Sequence, residues 1–327
     1  MDLSVFFAGT AGSVPSARRG LPATLIRRGG DRILIDCGEG TQRQLLRSVG
    51  LTDLTDVFIT HFHADHWLGL PGMLKSFDLR DRDRPLAIHG PPGTRKLLNA
   101  LRFVWAGTGY EVSIRELEPM ETVRFDGYVI GAIPVQHRGP AFGYALVEDP
   151  RPGRFDAELA QKLGVTPGPD FGRLQRGETV NGVAPEQVIG EERPGRTLVF
   201  SGDTRPCETV AAAAHDADLL VHEATFSHED VDRARQTQHS TATEAATLAR
   251  DAGVRLLALT HLSTRYAWRE LRDEARAIHP NTEVPRDFDT IEIPLPEKGD
   301  AELVHWNHAN ANAAPAPAAP AQPEAPR

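Results

Sequence analysis

The sequence predicts an α/β protein in which two packed β-sheets carry helices on their outer faces. Three features of the 327-residue chain point to this fold class. The first half is rich in short apolar segments typical of strands, and the second half alternates such segments with helical ones. A stretch rich in Gly and Pro, about residues 149–196, separates the two halves. A sandwich of two mixed sheets with helices outside (αββα) satisfies this order of elements.

The first half contains most of the predicted strands. We expect strands at residues 3–8, 22–28, 31–36, 56–60 and 86–89, and several more between residues 112 and 147. The second and third of these form a hairpin around Arg28-Gly29-Gly30. Helices are expected at residues 38–49, at 67–79 with an interruption near Pro71-Gly72, and at 94–105.

The second half alternates strands with helices. Strands are expected at residues 197–200, 219–221, 255–260 and 289–293, and helices at 207–214, 241–252 and 266–278. We interpret residues 149–196 as an inserted arm with a helix near 156–163, because a compact domain rarely tolerates so long a loop without a functional reason. An ordinary solvated loop is the alternative. Residues 309–327 are almost entirely Ala, Pro, Asn and Gln and predict a disordered tail, which leaves 1–308 as the folded domain.

The composition excludes several classes of protein. No segment approaches the ~18 consecutive apolar residues that a membrane span needs, and the first residues show no signal-peptide pattern. The two cysteines, Cys37 and Cys207, form no disulfide framework and are interpreted as small buried apolar residues, so we expect a cytoplasmic protein. A net charge of −9 argues against indiscriminate nucleic-acid binding through a basic surface, but it does not exclude a nucleic-acid enzyme.

The segment with the clearest chemical meaning is Thr60-His61-Phe62-His63-Ala64-Asp65-His66, which follows the apolar strand Asp56-Val57-Phe58-Ile59. In an extended segment His61 and His63 project to the same side, so one metal ion can take both imidazoles. Asp65 and His66 follow at once and can turn toward a second ion. The spacing therefore predicts two metal ions rather than one.

Three further ligand-type residues each follow an apolar strand: His137, Asp203 and His261. With them two ligand sets are complete. We assign His61, His63 and His137 to one zinc ion, Asp65, His66 and His261 to the other, and Asp203 to a position between them. Zinc lowers the pKa of bound water to about 7, and two ions attract an anionic phosphodiester. For His137 alone an ordinary packing role is an open alternative. We interpret as ordinary residues several histidines that lack such context, namely His89, His215, His228 and His279.

The metal segment resembles that of the metallo-β-lactamase superfamily, and the neighbouring motifs resemble those of tRNase Z, the family of tRNA 3′-processing endoribonucleases. The resemblance covers about residues 3 to 293. It rests on the segments Asp36–Gln44, Gly69–Gly72, Ser201–Pro206, His222–Phe226, His239–Thr241 and His261–Tyr266.

The resemblance implies roles for individual residues. Asp65 would bind zinc and orient or deprotonate the water. His239 would lie near the leaving oxygen, with Glu223 holding its ring, and would donate a proton to the departing alkoxide. Capping or packing is the alternative for Glu223 and His239, and Ser240 is a plausible N-cap of the helix that follows.

The resemblance also implies how substrate is bound. The arm would grip the tRNA elbow, and the family is usually a homodimer in which one subunit's arm presents tRNA to the other subunit's active site. The arm residues expected to contact tRNA are Gly168, Pro169, Arg173 and Arg176, and the other arm cations that can meet phosphates are Arg151, Arg154 and Lys162. One departure concerns residues 15–20, which lack the Asn of a family loop that senses the 3′ end. Discrimination of CCA-bearing tRNA is therefore left open.

Together these observations predict an endoribonuclease with two Zn²⁺ per subunit that removes the 3′ trailer of precursor tRNA. It would leave a tRNA 3′-hydroxyl and a trailer 5′-phosphate. One alternative is another phosphodiesterase of the same fold that acts on small diesters or other RNA. A non-catalytic RNA-binding module is the second, and the complete ligand set argues against it.

Overall fold

A computed structural model describes residues 1–51 and 54–307. The described strands are β1 (Leu3–Gly9), β2 (Ala23–Arg28), β3 (Asp31–Ile35), β4 (Asp56–Phe58), β5 (Leu86–Gly90), β6 (Val112–Glu116), β7 (Thr122–Phe125), β8 (Tyr128–Pro134), β9 (Phe142–Glu148), β10 (Thr197–Phe200), β11 (Leu219–Glu223), β12 (Leu257–Thr260), β13 (Thr282–Glu283), β14 (Thr290–Glu292) and β15 (Glu302–Val304). The described α-helices are α1 (Thr41–Leu46), α2 (Ala64–Trp67), α3 (Leu70–Asp78), α4 (Thr94–Ala100), α5 (Arg102–Trp105), α6 (Ala157–Lys162), α7 (Pro169–Gln175), α8 (Glu208–Ala213), α9 (Val231–Thr237), α10 (Ala242–Asp251) and α11 (Trp268–Arg276).

The strands form two mixed sheets. The first has the order β15-β14-β1-β2-β3-β4-β5-β6, and the second has the order β13-β12-β11-β10-β9-β8-β7. Strands β3 to β6 are parallel to one another, as are β10 to β13. Strand β8 runs in the same direction as β10, because both are antiparallel to β9. The carboxyl ends of β8, β10, β11 and β12 therefore meet at one edge of the second sheet.

Side chains bury both faces of each sheet. Phe7 and Phe58 of the first sheet pack with Tyr144 and Leu198 of the second to form the core between the sheets. On the outer face of the first sheet, Phe6 and other side chains pack against helices α1, α3, α4 and α5. Because successive residues of a strand point to opposite faces, a strand such as β1 is apolar along most of its length. The predicted αββα sandwich is confirmed.

The outer face of the second sheet is covered by small side chains. Leu220 and Leu257 pack against Ala245 and Ala249 of α10 and against Leu271 of α11. Alanines let these helices lie close to the sheet, so the carboxyl ends of the strands sit on a rigid base. Among the described helices, none is long and apolar enough to cross a membrane.

Several element boundaries differ from those predicted. The helix expected at 67–79 begins only at Leu70. Pro71 lies in its first turn, where a backbone N–H has no partner within the helix, so proline is tolerated there. The helix expected at 38–49 is the shorter α1, which follows Gly40 with a φ of 85°. The helix expected at 94–105 is divided into α4 and α5. The predicted tail at 309–327 lies outside the described residues.

Other features were missed or misassigned. Strand β15 pairs with β14 and extends the first sheet, and α7, α9 and β13 were not expected. Cys37 is buried, and burial raises the pKa of its thiol. Cys207 is only partly buried, contrary to prediction, because it lies at the start of α8 beside an open groove.

Residues 149–196 contain a small apolar cluster of their own. Ala160, Val165 and Leu174 pack with Val180 and Val188, so the segment is folded rather than an open loop. At its base Glu148, the last residue of β9, forms a 2.7 Å ion pair with Arg196, which precedes β10. The two ends of the segment are thus held together at a buried point.

Candidate metal centre

The predicted metal ligands lie at the ends of four strands from both sheets. Residues 61–66 follow β4, with Asp65 and His66 in the short helix α2. His137 follows β8, Asp203 follows β10 and His261 follows β12. The structure brings all seven predicted ligands together at this edge, although up to 200 positions separate them in the chain.

The donor atoms include the two predicted groups, and a third group joins Asp203 and His261 with His239. One group contains His61, His63, His137 and Asp203, and the other contains Asp65, His66 and His261, with the donor atoms of each group within 4.8 Å of one another. Oδ2 of Asp203 lies 3.6 Å from Nε2 of His61, 3.4 Å from Nε2 of His66 and 3.3 Å from Nε2 of His261. This oxygen is therefore shared between the groups.

The separations fit metal coordination. Ligand atoms bonded at about 2.1 Å to a tetrahedral ion lie about 3.4 Å apart. Nε2 of His137 lies 3.3 Å from Nδ1 of His63, and Oδ2 of Asp65 lies 3.5 Å from Nε2 of His66 and 3.3 Å from Nε2 of His261. Among the described residues, the buried Nε2 atoms of His61 and His66 have no hydrogen-bond partner. A divalent metal ion would satisfy them, so the donor set fits one.

The charge states suit ligation. Burial lowers the pKa values of His61, His63 and His137, which favours the neutral imidazole that binds metal. Burial alone would raise the pKa values of Asp65 and Asp203, but the neighbouring histidines hold both well below the usual range. At neutral pH the site thus presents carboxylates and three neutral rings. Burial alone would lower the pKa of His66 as well, but the neighbouring carboxylates of Asp203 and Asp36 raise it well above its usual value.

Residues behind the ligands fix their orientation. Asp36, which follows β3 with a φ of 59°, lies with Oδ2 2.7 Å from Nδ1 of His66 and accepts a hydrogen bond from the backbone N of Thr60. Nδ1 of His137 donates to the backbone oxygen of Gln238 at 2.9 Å. Such partners direct the other ring nitrogen at the metal. These roles were not predicted from the sequence, although a polar residue directly after a strand was a usable signal for Asp36.

The loop of residues 10–20 forms a wall of the centre. The backbone N of Ser13 donates to Oδ2 of Asp65 at 2.8 Å. Gly12 packs so closely that a Cβ atom there would lie 2.4 Å from Nδ1 of His261. Both ends of the loop are tied to Asp287, which accepts from the Thr10 hydroxyl and from the backbone N of Gly20. This wall was not predicted from the sequence, because its contacts join the segment after β1 to the segment before β14, far apart in the chain.

Glu223 and His239 lie next to the metal ligands. Oε1 of Glu223 is 2.8 Å from Nδ1 of His239, and both residues are buried. Burial alone would lower the pKa of His239, but the Glu223 carboxylate raises it to about 9. The ring is therefore protonated at neutral pH, with Nδ1 held by Glu223.

The loop that carries His239 is anchored by Arg205. Its guanidinium donates to the backbone oxygen of His239 at 2.8 Å and pairs with Glu244. The predicted N-cap of helix α10, Ser240, is wrong. Thr241 caps the helix, because its hydroxyl accepts from the backbone N of Glu244. The Ser240 hydroxyl donates instead to the backbone oxygen of Thr204.

The predicted substrate-binding residues lie in the arm. Gly168, with a φ of 125°, precedes α7, and Pro169 is its first residue. Arg173 pairs with Glu178 at 2.9 Å and with Asp170, and Arg176 pairs with Glu178. Arg151 pairs with Glu297 at the base of the arm. These cations are therefore balanced by local acids.

The four histidines that were interpreted as ordinary residues lie apart from the donor groups. His89 pairs with Asp56 at 2.7 Å, and His279 lies with Nε2 2.9 Å from the backbone oxygen of Val254. His215 is exposed and pairs with Asp216. His228 lies in the groove that also contains Cys207.

Comparison with known proteins identifies the family. The model of the beta-lactamase superfamily domain matches residues 31–262. Ribonuclease Z of Haloferax volcanii is 48% identical over 316 residues, which cover 92% of this chain and 99% of that protein. Ribonuclease Z of Methanosarcina acetivorans is 45% identical over 300 residues, which cover 89% of this chain and 98% of that protein.

A solved structure agrees with these relatives. The crystal structure of human tRNase Z, short form, matches with a TM-score of 0.67 and 28% identity, over 89% of this chain and all of that one. The fold is therefore the metallo-β-lactamase fold, as the resemblance predicted. Because relatives this similar match it over nearly its whole length, the chain belongs to the ribonuclease Z family.

Proposed function

We propose that this chain is an endoribonuclease that removes the 3′ trailer from precursor tRNA with two Zn²⁺ ions per subunit. The observation that carries the proposal is the convergence of two donor groups on Asp203 beside the paired Glu223 and His239. Family membership supports the substrate, because the relatives are named ribonuclease Z.

The ions are held by the ligands that were predicted. His61, His63 and His137 would hold one ion, Asp65, His66 and His261 would hold the other, and Asp203 would be shared between them. When bound, the ions supply an activated water and stabilise the attacking and leaving oxygens of the phosphodiester. Nitrogen and carboxylate ligands at these separations suit zinc.

Two residues transfer protons during the reaction. Asp65 accepts the backbone N–H of Ser13 on Oδ2, so its carboxylate is fixed where it can orient the attacking water and take its proton. His239 carries a second ring proton on Nε2, because Glu223 holds Nδ1. As the bond between phosphorus and the 3′ oxygen breaks, His239 gives that proton to the departing oxygen. The tRNA keeps a 3′-hydroxyl, and the trailer carries a 5′-phosphate.

Substrate choice is assigned to the arm. Gly168, Pro169, Arg173 and Arg176 contact the tRNA, and phosphates replace Asp170 and Glu178 as partners of the two arginines. Exposed ion pairs of this kind are worth little, so the exchange costs little. The chain acts as a homodimer in the cytoplasm, with one subunit's arm presenting tRNA to the other subunit. Large exposed apolar side chains, such as Phe103 in α5 and Leu79 directly after α3, offer surface for that association.

A precursor tRNA with a 3′ trailer tests the proposal. We expect the zinc-loaded protein to make a single cut beside the discriminator base, with a 3′-hydroxyl on the tRNA and a 5′-phosphate on the trailer. The Asp65→Ala variant should not cut. If the zinc-loaded wild type leaves the precursor intact, the assignment is wrong.

A phosphodiesterase acting on small diesters or other RNA is the second candidate. The local ion pairs of Arg173 and Arg176 favour it, because they reduce the free positive charge of the arm. Equal cleavage of precursor tRNA and an unstructured RNA of the same length would support this candidate.

A further inference from the structure

Thr225 lies between a proposed metal ligand and the proposed acid pair. It follows β11 by two residues and is buried, with 4% of its surface exposed. Its hydroxyl oxygen is 2.5 Å from Oε2 of Glu223 and 2.8 Å from Nδ1 of His261. One small side chain therefore contacts both a proposed metal ligand and a residue of the proposed acid pair.

The direction of these two hydrogen bonds follows from the charge of Glu223. Burial alone would raise the pKa of Glu223, but the charge and hydrogen bond of His239 hold it below its usual value. An ionised carboxylate only accepts hydrogen bonds, so the hydroxyl must donate its single hydrogen to Glu223. The same hydroxyl can then only accept from His261, whose Nδ1 must carry a hydrogen.

This direction sets the tautomer of His261. With the hydrogen on Nδ1, the lone pair is on Nε2, the atom that lies 3.3 Å from Oδ2 of both Asp65 and Asp203. A neutral imidazole binds a metal through the nitrogen that lacks a hydrogen. In the other tautomer Nε2 would point an N–H bond at the ion.

We propose that Thr225 is a positioning residue that holds His261 in its metal-binding tautomer and couples that ligand to the carboxylate that holds His239. The proposal deepens the proposed function and rests on it for the roles of His261 and His239. A hydrogen-bond partner behind a metal-binding histidine typically contributes 10–100-fold to metal affinity or activity.

Substitution of Thr225 separates this role from that of Glu223. Valine has nearly the shape of threonine but no hydroxyl, so His261 loses its acceptor. Glu223 keeps three donors: the backbone N of Thr204 at 2.9 Å, the backbone N of residue 225 at 3.2 Å and Nδ1 of His239 at 2.8 Å. Thr225→Ser keeps the hydroxyl and loses only a methyl group, which makes it the matched control.

Zinc affinity of the full-length chain is the test, measured by competition with a chromogenic chelator. We expect Thr225→Val to weaken one of two zinc ions by about 10-fold or more and to lower kcat on precursor tRNA to a similar degree with KM little changed. Thr225→Ser should bind both ions nearly as wild type does. If the valine variant does not fold by circular dichroism, Thr225→Ala takes its place with the same expectation.

Two outcomes separate the claims. Wild-type zinc affinity and kcat in a folded variant without the hydroxyl would overturn the role of Thr225. Loss of zinc affinity in Thr225→Val, combined with a wild type that cuts no precursor tRNA, would uphold the positioning role and overturn the proposed function.

Discussion

The metal-bearing edge of the sheets and the arm hold their charged residues in opposite ways. At the edge, buried partners come from distant parts of the chain, as when Asp65 meets His261 across 196 positions or Asp36 meets His66 across 30. In the arm, Arg173 pairs with acids three and five residues away; Arg173 and Glu178 are exposed, and Asp170 is partly exposed.

This difference indicates two kinds of task. Buried charges with partners on several strands cannot rearrange without disturbing the core, so the edge keeps a fixed geometry, as catalysis requires. Exposed local pairs exchange partners at little cost, as binding to a phosphate backbone requires. We therefore expect changes at the edge to abolish chemistry on every substrate, and changes in the arm to affect only the natural one.

The largest effect is expected at the edge, from Asp65→Ala. The variant loses a proposed ligand and the proposed proton acceptor, so precursor cleavage should slow by about 10⁴-fold, or roughly 5 kcal/mol. Single-turnover kinetics measures the loss. Asp232→Ala, which removes an exposed acid on α9, is the control and should cleave as wild type does. A loss below tenfold for Asp65→Ala would contradict its assigned role.

The next effect is expected from His239→Ala. Loss of the proposed general acid should slow cleavage by about 10³-fold while zinc content stays at the wild-type value. The exposed His215→Ala is the control. Because the acid must be protonated and the pKa of His239 is about 9, the wild-type rate should hold below that pH and fall as pH rises through it. A His239→Ala variant with a wild-type pH profile and rate would exclude the acid role.

The fold and the clustering of the candidate ligands could be predicted because their signals are local. An apolar strand followed by a ligand-type residue is visible in the sequence, as at His61, Asp203 and His261. The parts that were missed depend on pairing between distant segments. The contact of Asp36 with His66 needs a positive φ at Asp36, and the wall made by residues 10–20 needs Asp287 from the far end of the chain. Periodicity carries no information on such contacts.

Removal of most of the arm should have a smaller effect, confined to cleavage of precursor tRNA. The backbone oxygen of Arg154 accepts from the backbone N of Gly190 at 3.0 Å, so a short Gly-Ser linker can replace residues 155–189 and leave the base intact. Loss of the proposed phosphate contacts should slow precursor cleavage by roughly 10²-fold. Hydrolysis of a chromogenic phosphodiester should be unchanged, which is the internal control. An equal loss on both substrates would show that the arm also shapes the metal centre.

The base of the arm should affect cleavage least and should instead affect stability. Two glutamates there each pair with two arginines. Glu148 pairs with Arg28 and Arg196 in the core, and Glu297 pairs with Arg151 and Arg193 near the surface. Glu148→Gln leaves two buried guanidinium groups without a charged partner and should lower the free energy of unfolding by about 3 kcal/mol. Glu297→Gln is the matched control and should have a much smaller effect, because water screens its pairs.

Acid titration gives the sign of the contribution that Glu148 makes to the free energy of unfolding. Burial alone would raise the pKa of Glu148, but the two arginines lower it to about 2 in the folded chain. The unfolded value is about 4.3, so the stabilisation is complete above that pH and is lost as pH falls toward 2. Urea unfolding of wild type and Glu148→Gln between pH 2 and 7 measures this. Parallel pH curves for the two proteins would contradict the account.

Zinc titration of the metal-free chain tests the central claim most directly. After chelation, precursor tRNA should remain uncut, and cleavage at the trailer junction should return as zinc is added and level off at two equivalents per chain. Cleavage by the fully metal-free protein, or full activity at one equivalent, would contradict a two-ion centre at the shared edge of the sheets.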